Sequence, residues 1–412
     1  MPRGHALTVL RHRDFALLFG GQFISTVGDQ IQSVSIGWQM YVITGSPLQL
    51  GLVSAVRAVP FIVLSMFGGA VADAVDRRRM LFITQGVSMS IAVWLVAATI
   101  LGRVDAITLY AATFLGGAAQ AFDQPARQAL VVNTVPAEEL SNAFTVNTLL
   151  RQVTLIFGPA VGGLIIGAFG LGWSYGANAI SFLALMSAVV LMRPVQVVRA
   201  VVGSNWERVV GGLRFGLAQP MVLVPLLVDF VTRCVGARRG LLVIFAHDVF
   251  RVGPQGLGWL NTADSLGAVA GGLVLGGVGS RLGRPVLVMM LAYAAEGLAV
   301  LGLGLSPSFY VALPVLFAAG VANVVAEVPR LTIVQLVTPD EMRGRVSALS
   351  GLFTNGGPQL GQLEAGAVAS AVGAPLAATI GGSLMVIATL IFAVQPVMRR
   401  AYRLVPKALA VA

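Results

Sequence analysis

Phe122-Asp123-Gln124-Pro125-Ala126-Arg127 closes one long apolar run, and Val135-Pro136-Ala137-Glu138-Glu139-Leu140 follows it. About 204 residues further on, Ala326-Glu327-Val328-Pro329-Arg330 closes another apolar run, followed by Thr338-Pro339-Asp340-Glu341-Met342. A carboxylate, a proline, an arginine and an acidic loop led by proline recur in that order. Two further pairs keep a similar offset: Gly158-Pro159 returns as Gly357-Pro358, and Gly69 with Arg77, Arg78 and Arg79 is echoed by Gly276, Arg281 and Arg284. Duplication of one multi-helix unit accounts for all of them, and internal repeats of this kind are the build of membrane transporters with a substrate site between two halves.

The sequence around these markers is mostly apolar. Of 412 residues, 57% are hydrophobic and 11% charged, with a mean hydropathy of +0.86, too much apolar surface for a water-soluble fold. A spanning helix needs about 20 apolar residues. Breaks at charges, Pro and Gly place such runs at 15–42, 48–71, 80–101, 107–132, 142–169, 174–192, 220–249, 255–279, 285–306, 309–336, 346–370 and 375–396. The expected fold is an all-α integral membrane protein of twelve transmembrane helices in two pseudo-symmetric six-helix bundles, 1–192 and 220–412, the second ending in a short cytoplasmic tail. In the connection 193–219, Trp206, Val209, Val210, Leu213 and Leu217 fall at helical spacing and predict an amphipathic helix on the inner membrane surface. It reads as a tether, with a lever between moving halves as the alternative.

The formal charge of +10 is spread in small groups between apolar runs, which argues against a nucleic-acid surface. Basic flanks are retained on the cytoplasmic side. With the N-terminus inside, eighteen Lys and Arg fall in inner segments and only Arg103 and Arg251 in outer ones, so both termini are expected in the cytoplasm. The run from Phe15 lacks a small-residue cleavage site and reads as an uncleaved first span. A single cysteine, Cys234, leaves no intrachain disulfide and no multi-Cys metal site. His5, His12 and His247 are scattered, and no phosphate loop, H-E-x-x-H or G-x-S-x-G occurs. No cofactor, no metal and no enzymatic activity is expected.

Ionisable groups inside a membrane cost several kcal/mol unless paired or hydrated. Seven arginines, Arg57, Arg127, Arg151, Arg233, Arg238, Arg239 and Arg330, lie in or near the spans beside seven carboxylates, Asp29, Asp123, Asp229, Asp264, Glu296, Glu327 and Glu364. Equal numbers predict pairing. Residues three or four apart share a helix face, which predicts the pairs Asp123/Arg127, Asp229/Arg233 and Glu327/Arg330. The first and last read as structural or gating pairs, with substrate or proton contact as the alternative. Asp29 has no basic residue within a turn or two, and Ser25, Thr26, Gly28, Gln30, Gln32 and Ser33 surround it as the wall of a polar cavity. A partly dehydrated carboxylate takes up protons more readily. Asp29 is therefore the candidate proton or substrate site, with pairing to Arg57 or simple solvation as the alternatives. Glu296 reads as an interior-facing structural group.

Gly69-Ala70-Val71-Ala72-Asp73-Ala74-Val75-Asp76-Arg77-Arg78-Arg79 resembles the signature loop of the major facilitator superfamily, roughly G-x-x-x-D-R-x-G-R-R/K, departing at Ala74 and Asp76. The second-half copy has Ser280 for the acid. The resemblance implies that Gly69, Asp73, Arg77, Arg78 and Arg79 form a gating loop that latches cytoplasmic helix ends. Gly158-Pro159 with Gly162-Gly163 resembles the superfamily's antiporter motif, with close helix packing alone as the alternative. Thr44 to Pro47 with Gly51-Leu52, Pro125-Ala126-Arg127, Asn178 through Phe182, and Thr338 to Arg345 are similar to the branch containing the enterobactin exporter and related drug efflux pumps. In the superfamily pattern, spans one, four, seven and ten line the cavity, which brings in Asp29, Asp123, Asp229, Arg233 and Glu327.

The resemblance implies a secondary transporter. The expected activity is proton-coupled export of amphipathic small molecules, such as drugs or secondary metabolites, by a monomer in a bacterial inner membrane. Its partners are then that substrate, protons and the lipid bilayer. Export of an anionic siderophore, an uncoupled facilitator or importer, and a non-transporting receptor or scaffold are the alternatives.

Overall fold

A segment surrounded by hydrocarbon must pair its own backbone N–H and C=O groups, and a helix does so within itself. The computed structural model describes residues 6–193, 211, 214–216, 218–278, 284–339, 342–396 and 398, leaving aside the side chains of 6, 7, 66, 69, 70, 72–74, 278, 348 and 355. The described residues are helical with no strand. The helices are α1 (Arg13–Thr44), α2 (Pro47–Ala74), α3 (Arg77–Ile100), α4 (Ala106–Thr134), α5 (Leu140–Phe169), α6 (Leu171–Leu191), α7 (Pro220–Val235), α8 (Arg238–Ile244), α9 (Gly253–Val278), α10 (Pro285–Gly304), α11 (Phe309–Val337), α12 (Arg343–Val372) and α13 (Ala374–Ala393).

Among the described residues, eight stretches are long and apolar enough to cross a membrane by length and composition: Pro47–Ser65, Arg77–Ile100, Ala137–Phe169, Leu171–Leu191, Pro220–Val249, Pro285–Gly304, Phe309–Val337 and Ala374–Ala393. Four of the twelve expected spans, the helices α1, α4, α9 and α12, are not among these eight. Those four have 32, 29, 26 and 30 residues, ample at about 1.5 Å per residue. Composition separates them: they carry Asp29, Asp123 and Arg127, Asp264, and Glu364 among other polar residues.

The chain divides into two compact units, one of Met1–Gly45 with Val56–Ser204 and one of Ser46–Ala55 with Asn205–Ala412. In the first unit α1 packs on α5 and α6, and α3 on α4 and α6. In the second, α7 packs on α12 and α13, and α10 on α11 and α13. Taking α7 for α1 and α10 for α3, these are the same pairings, as a duplicated unit requires. A single glycine makes the same turn in each, Gly170 between α5 and α6 (φ 85°) and Gly373 between α12 and α13 (φ 84°). At that φ a Cβ would be strained, so the tightest reversal in each unit falls on glycine.

The span expected as one helix over 220–249 is interrupted. Helix α7 stops at Val235, Gly236 and Ala237 intervene, and α8 runs from Arg238 into a π turn over Phe245–Val249. A Cβ on Gly236 would sit 2.6 Å from Met385 Sδ, so the break lies at a close approach to α13, where a larger residue would push the Met385 side chain aside. Of the connection 193–219, only 193, 211, 214–216, 218 and 219 are described, and the predicted amphipathic helix with Trp206 lies outside the described residues.

Candidate functional site

Within the apolar spans of the first unit, Asp123 is paired and Asp29 is not. Asp123, buried on α4, accepts from Thr84 Oγ1 at 3.0 Å and Gln85 Nε2 at 2.7 Å, both on α3, and pairs through its second oxygen with Arg127 Nε. Gln85 is itself held by Ser25 Oγ of α1 at 3.0 Å, so the polar chain links α1, α3 and α4. The predicted Asp123/Arg127 pair is present. Asp29 is half-buried and makes no ion pair or hydrogen bond among the described residues. Its charged surroundings are Arg127, Asp123 and Arg57. Arg57 does not reach it, and instead donates to Gln120 Oε1 at 3.1 Å. The expected alternative of an Asp29–Arg57 pair is therefore not what this structure contains.

Glycines grip α1 around Asp29. A Cβ on Gly162 would meet Ile31 Cα at 3.2 Å, one on Gly158 would strike the Gln30 side chain, and one on Gly28 would strike Ser181 and Asn178. The buried Gly158, Pro159, Gly162 and Gly163 thus bring α5 against α1 next to Asp29, while α6 presses from the other side. Close backbone approach is what small residues permit.

In the second unit, Asp229 is fully buried on α7, and its Oδ1 accepts from Arg233 Nε at 2.8 Å and from Tyr293 OH of α10 at 2.9 Å. Arg233 also reaches Glu327 of α11, Nη2 to Oε2 3.3 Å, bridging two helices. The predicted Asp229/Arg233 pair is present, but Glu327 is not paired with Arg330. Arg330 is fully buried and lies 3.6 Å from Asp229 Oδ1, with long contacts to the hydroxyls of Ser350 (3.3 Å) and Thr354 (3.4 Å) on α12.

A second buried network sits at the α7–α8 break. Arg238 forks onto Asp264 Oδ1 of α9, Nε at 3.0 Å and Nη2 at 2.5 Å, and its Nη1 reaches Glu296 Oε1 of α10 at 2.7 Å. Arg239, whose side chain is half exposed, completes Asp264 at 3.2 Å, and Asn323 Nδ2 of α11 donates to Glu296 at 3.1 Å. Both networks balance two arginines with two carboxylates. Tyr293, Asn323, Thr84 and Gln85 escaped sequence reasoning because each acts on a carboxylate from another helix, where spacing along the chain carries no signal. Arg151 is exposed, and Glu364, half-buried on α12, makes no ion pair among the described residues.

Of the signature-loop residues, Gly69 and Asp73 lie outside the residues whose side chains are described. Arg77 is buried and Arg79 exposed. Arg78 donates to the carbonyls of Val189 (2.7 and 3.1 Å) and Val190 (3.3 Å), capping the C-terminal end of α6. Asp76, which departs from the superfamily pattern, is the N-cap of α3 and accepts from the backbone N–H groups of Arg78 (2.8 Å) and Arg79 (3.3 Å). No cluster of three or more His, Cys, Asp or Glu that could hold a metal occurs among the described residues.

Residues 5–407 match the family described as Transmembrane secretion effector (MFS_3). The enterobactin exporter EntS of Escherichia coli O1:K1 / APEC is 26% identical over 394 residues, 94% of this chain and 93% of that protein. Two solved structures share the fold. A bacterial homologue of the iron transporter ferroportin aligns at TM-score 0.73 and 14% identity over 94% of this chain and 99% of that one. A bacterial homologue of the human lysosomal transporter Spinster aligns at TM-score 0.68 and 15% identity over 100% and 98%.

Proposed function

We propose that this chain, which belongs to the Transmembrane secretion effector family of major facilitator transporters, exports an amphipathic small molecule in exchange for protons. It is a multi-pass membrane transporter and not an enzyme. The proton coupling rests on Asp29: a half-buried carboxylate without an ion pair among the described residues, near Arg57, Asp123 and Arg127, whose own contacts lie elsewhere. Such a group can change protonation without breaking a buried ion pair, which Asp123, Asp229, Asp264 and Glu296 cannot do. Asp73 with Arg77, Arg78 and Arg79 serves as the inner latch, and the arginine asymmetry supports cytoplasmic termini in a bacterial inner membrane. The transporter works as a monomer.

A second reading, export of an anionic siderophore, draws on the similarity to enterobactin exporters and on the exposed side chain of Arg239. Both readings meet in one experiment. In inverted membrane vesicles with an imposed pH gradient, gradient-driven uptake is followed for lipophilic cations and for catecholate siderophores in wild type and Asp29→Asn. Uptake in wild type, lost in the variant while the protein stays folded, is the expected result, and the responding class selects the substrate. Coupled uptake that survives Asp29→Asn removes Asp29 from the mechanism. Uptake that ignores the gradient points to a facilitator.

A further inference from the structure

Arginine keeps its charge in any protein setting, so a guanidinium out of water needs acceptors for its five N–H groups. Arg330 is fully buried and poorly served. Its Nε has no hydrogen-bond partner, its contact with Asp229 is 3.6 Å, and its remaining bonds are long ones to two hydroxyls. The missing acceptor stands three residues away on the same helix face, because Glu327 could reach Arg330 at that spacing. Glu327 is instead drawn to Arg233, which already holds Asp229 at 2.8 Å. Arg233 is thus the better-supplied arginine and takes the carboxylate that the worse-supplied one lacks. Glu327 and Arg233 are also the two members still open to their surroundings, at 32% and 18% side-chain exposure, against 0–1% for Asp229 and Arg330.

We infer that Arg233 is a receptor for a carboxylate or phenolate group of the transported molecule, and that Glu327 is its internal stand-in. An arriving anion takes the place of the Glu327 carboxylate on Arg233. Glu327 turns along its own helix to Arg330 and supplies the acceptor missing there. Both arginines stay paired through the exchange, which lowers the penalty that normally attends displacement of a buried charge. The inference rests on the export reading and narrows it to weakly acidic amphipaths. The Arg238–Asp264–Glu296 network offers no comparable vacancy, since both of its arginines, Arg238 and Arg239, hold carboxylate oxygens at hydrogen-bond distance.

The test uses purified full-length protein in nanodiscs and two probes of nearly the same shape, 2-naphthoate and 2-naphthamide, with binding read by calorimetry. Wild type is expected to bind the acid about tenfold tighter than the amide. Glu327→Gln removes the stand-in and is expected to tighten acid binding about tenfold again, because the fraction of Arg233 free to bind multiplies the apparent affinity. Arg233→Gln is expected to abolish the preference, and Arg233→Lys to restore part of it. Folding of each variant is checked by its melting temperature and gel-filtration profile. Equal affinity for acid and amide in wild type, or acid binding unchanged or weakened in Glu327→Gln, overturns the inference. Either result leaves the vesicle experiment to decide export separately, since binding here is measured without transport.

Discussion

Asp123-Gln124-Pro125-Ala126-Arg127 and Glu327-Val328-Pro329-Arg330 are two copies of one pattern, yet they pair differently. In the first copy the acid and base are four residues apart, and they bond within α4. In the second, one residue fewer separates them, and each finds its partners on other helices: Glu327 on α7, Arg330 on α7 and α12. Both spacings leave acid and base on one helix face, so the neighbours make the difference: Arg233 of α7 takes Glu327, and Arg330 lies 3.6 Å from Asp229. A local pair in the first unit becomes a network across helices in the second. The contrast extends further: among the described residues the first unit keeps Asp29 unpaired, while in the second Asp229, Asp264, Glu296 and Glu327 have arginine partners and Glu364 of α12 is the unpaired acid.

The largest predicted difference tests that contrast directly. Arg238→Met leaves buried Glu296 without a cation and Asp264 with Arg239 alone, and is expected to cost about 3–5 kcal/mol. Asp29→Asn removes no partner and is expected to stay within about 0.5 kcal/mol. Thermal unfolding in detergent compares them, and an equal loss in both would show that Asp29 is as firmly engaged as the second-unit acids. Next come the two copies themselves. Asp123→Ala deprives Thr84, Gln85 and Arg127 of their acceptor and is expected to cost about 1–3 kcal/mol. Glu327→Ala leaves Arg233 on Asp229 and is expected to cost less than about 1 kcal/mol; the reverse order would mean that the cross-helix bridge holds the second unit together.

The smallest effect lies outside the spans. Asp105 caps α4, accepting from Thr108 N at 2.8 Å and Thr108 Oγ1 at 2.6 Å, and these bonds hold its carboxyl below the usual range. A depressed value in the folded protein means the contribution is present above the unfolded value, about 3.9, and fades as pH falls through the folded one. Asp105→Asn keeps a capping oxygen without the titration. The wild-type advantage in melting temperature is expected at pH 6 and should vanish toward pH 3; an advantage constant across that range would assign it to something other than the carboxylate.

The chain's own pattern was enough for its membrane character, its helices and its duplication, because hydropathy and periodicity act over stretches shorter than one span. Asp123/Arg127 and Asp229/Arg233 were legible for the same reason, since a rise of about 1.5 Å per residue places such neighbours together before any helix meets another. The glycine-rich stretch of α5 was legible as a packing face, though not the residues Gln30 and Ile31 that it receives. What only the tertiary structure decided is which buried arginine serves which acid. Coulomb attraction falls with distance and rises as water is excluded, and both depend on how α7, α9, α10, α11 and α12 pack. That packing sent Glu327 to Arg233, left the Nε of Arg330 without an acceptor, broke the seventh span so that Arg238 could face Asp264 and Glu296, and kept Arg57 on Gln120 and away from Asp29.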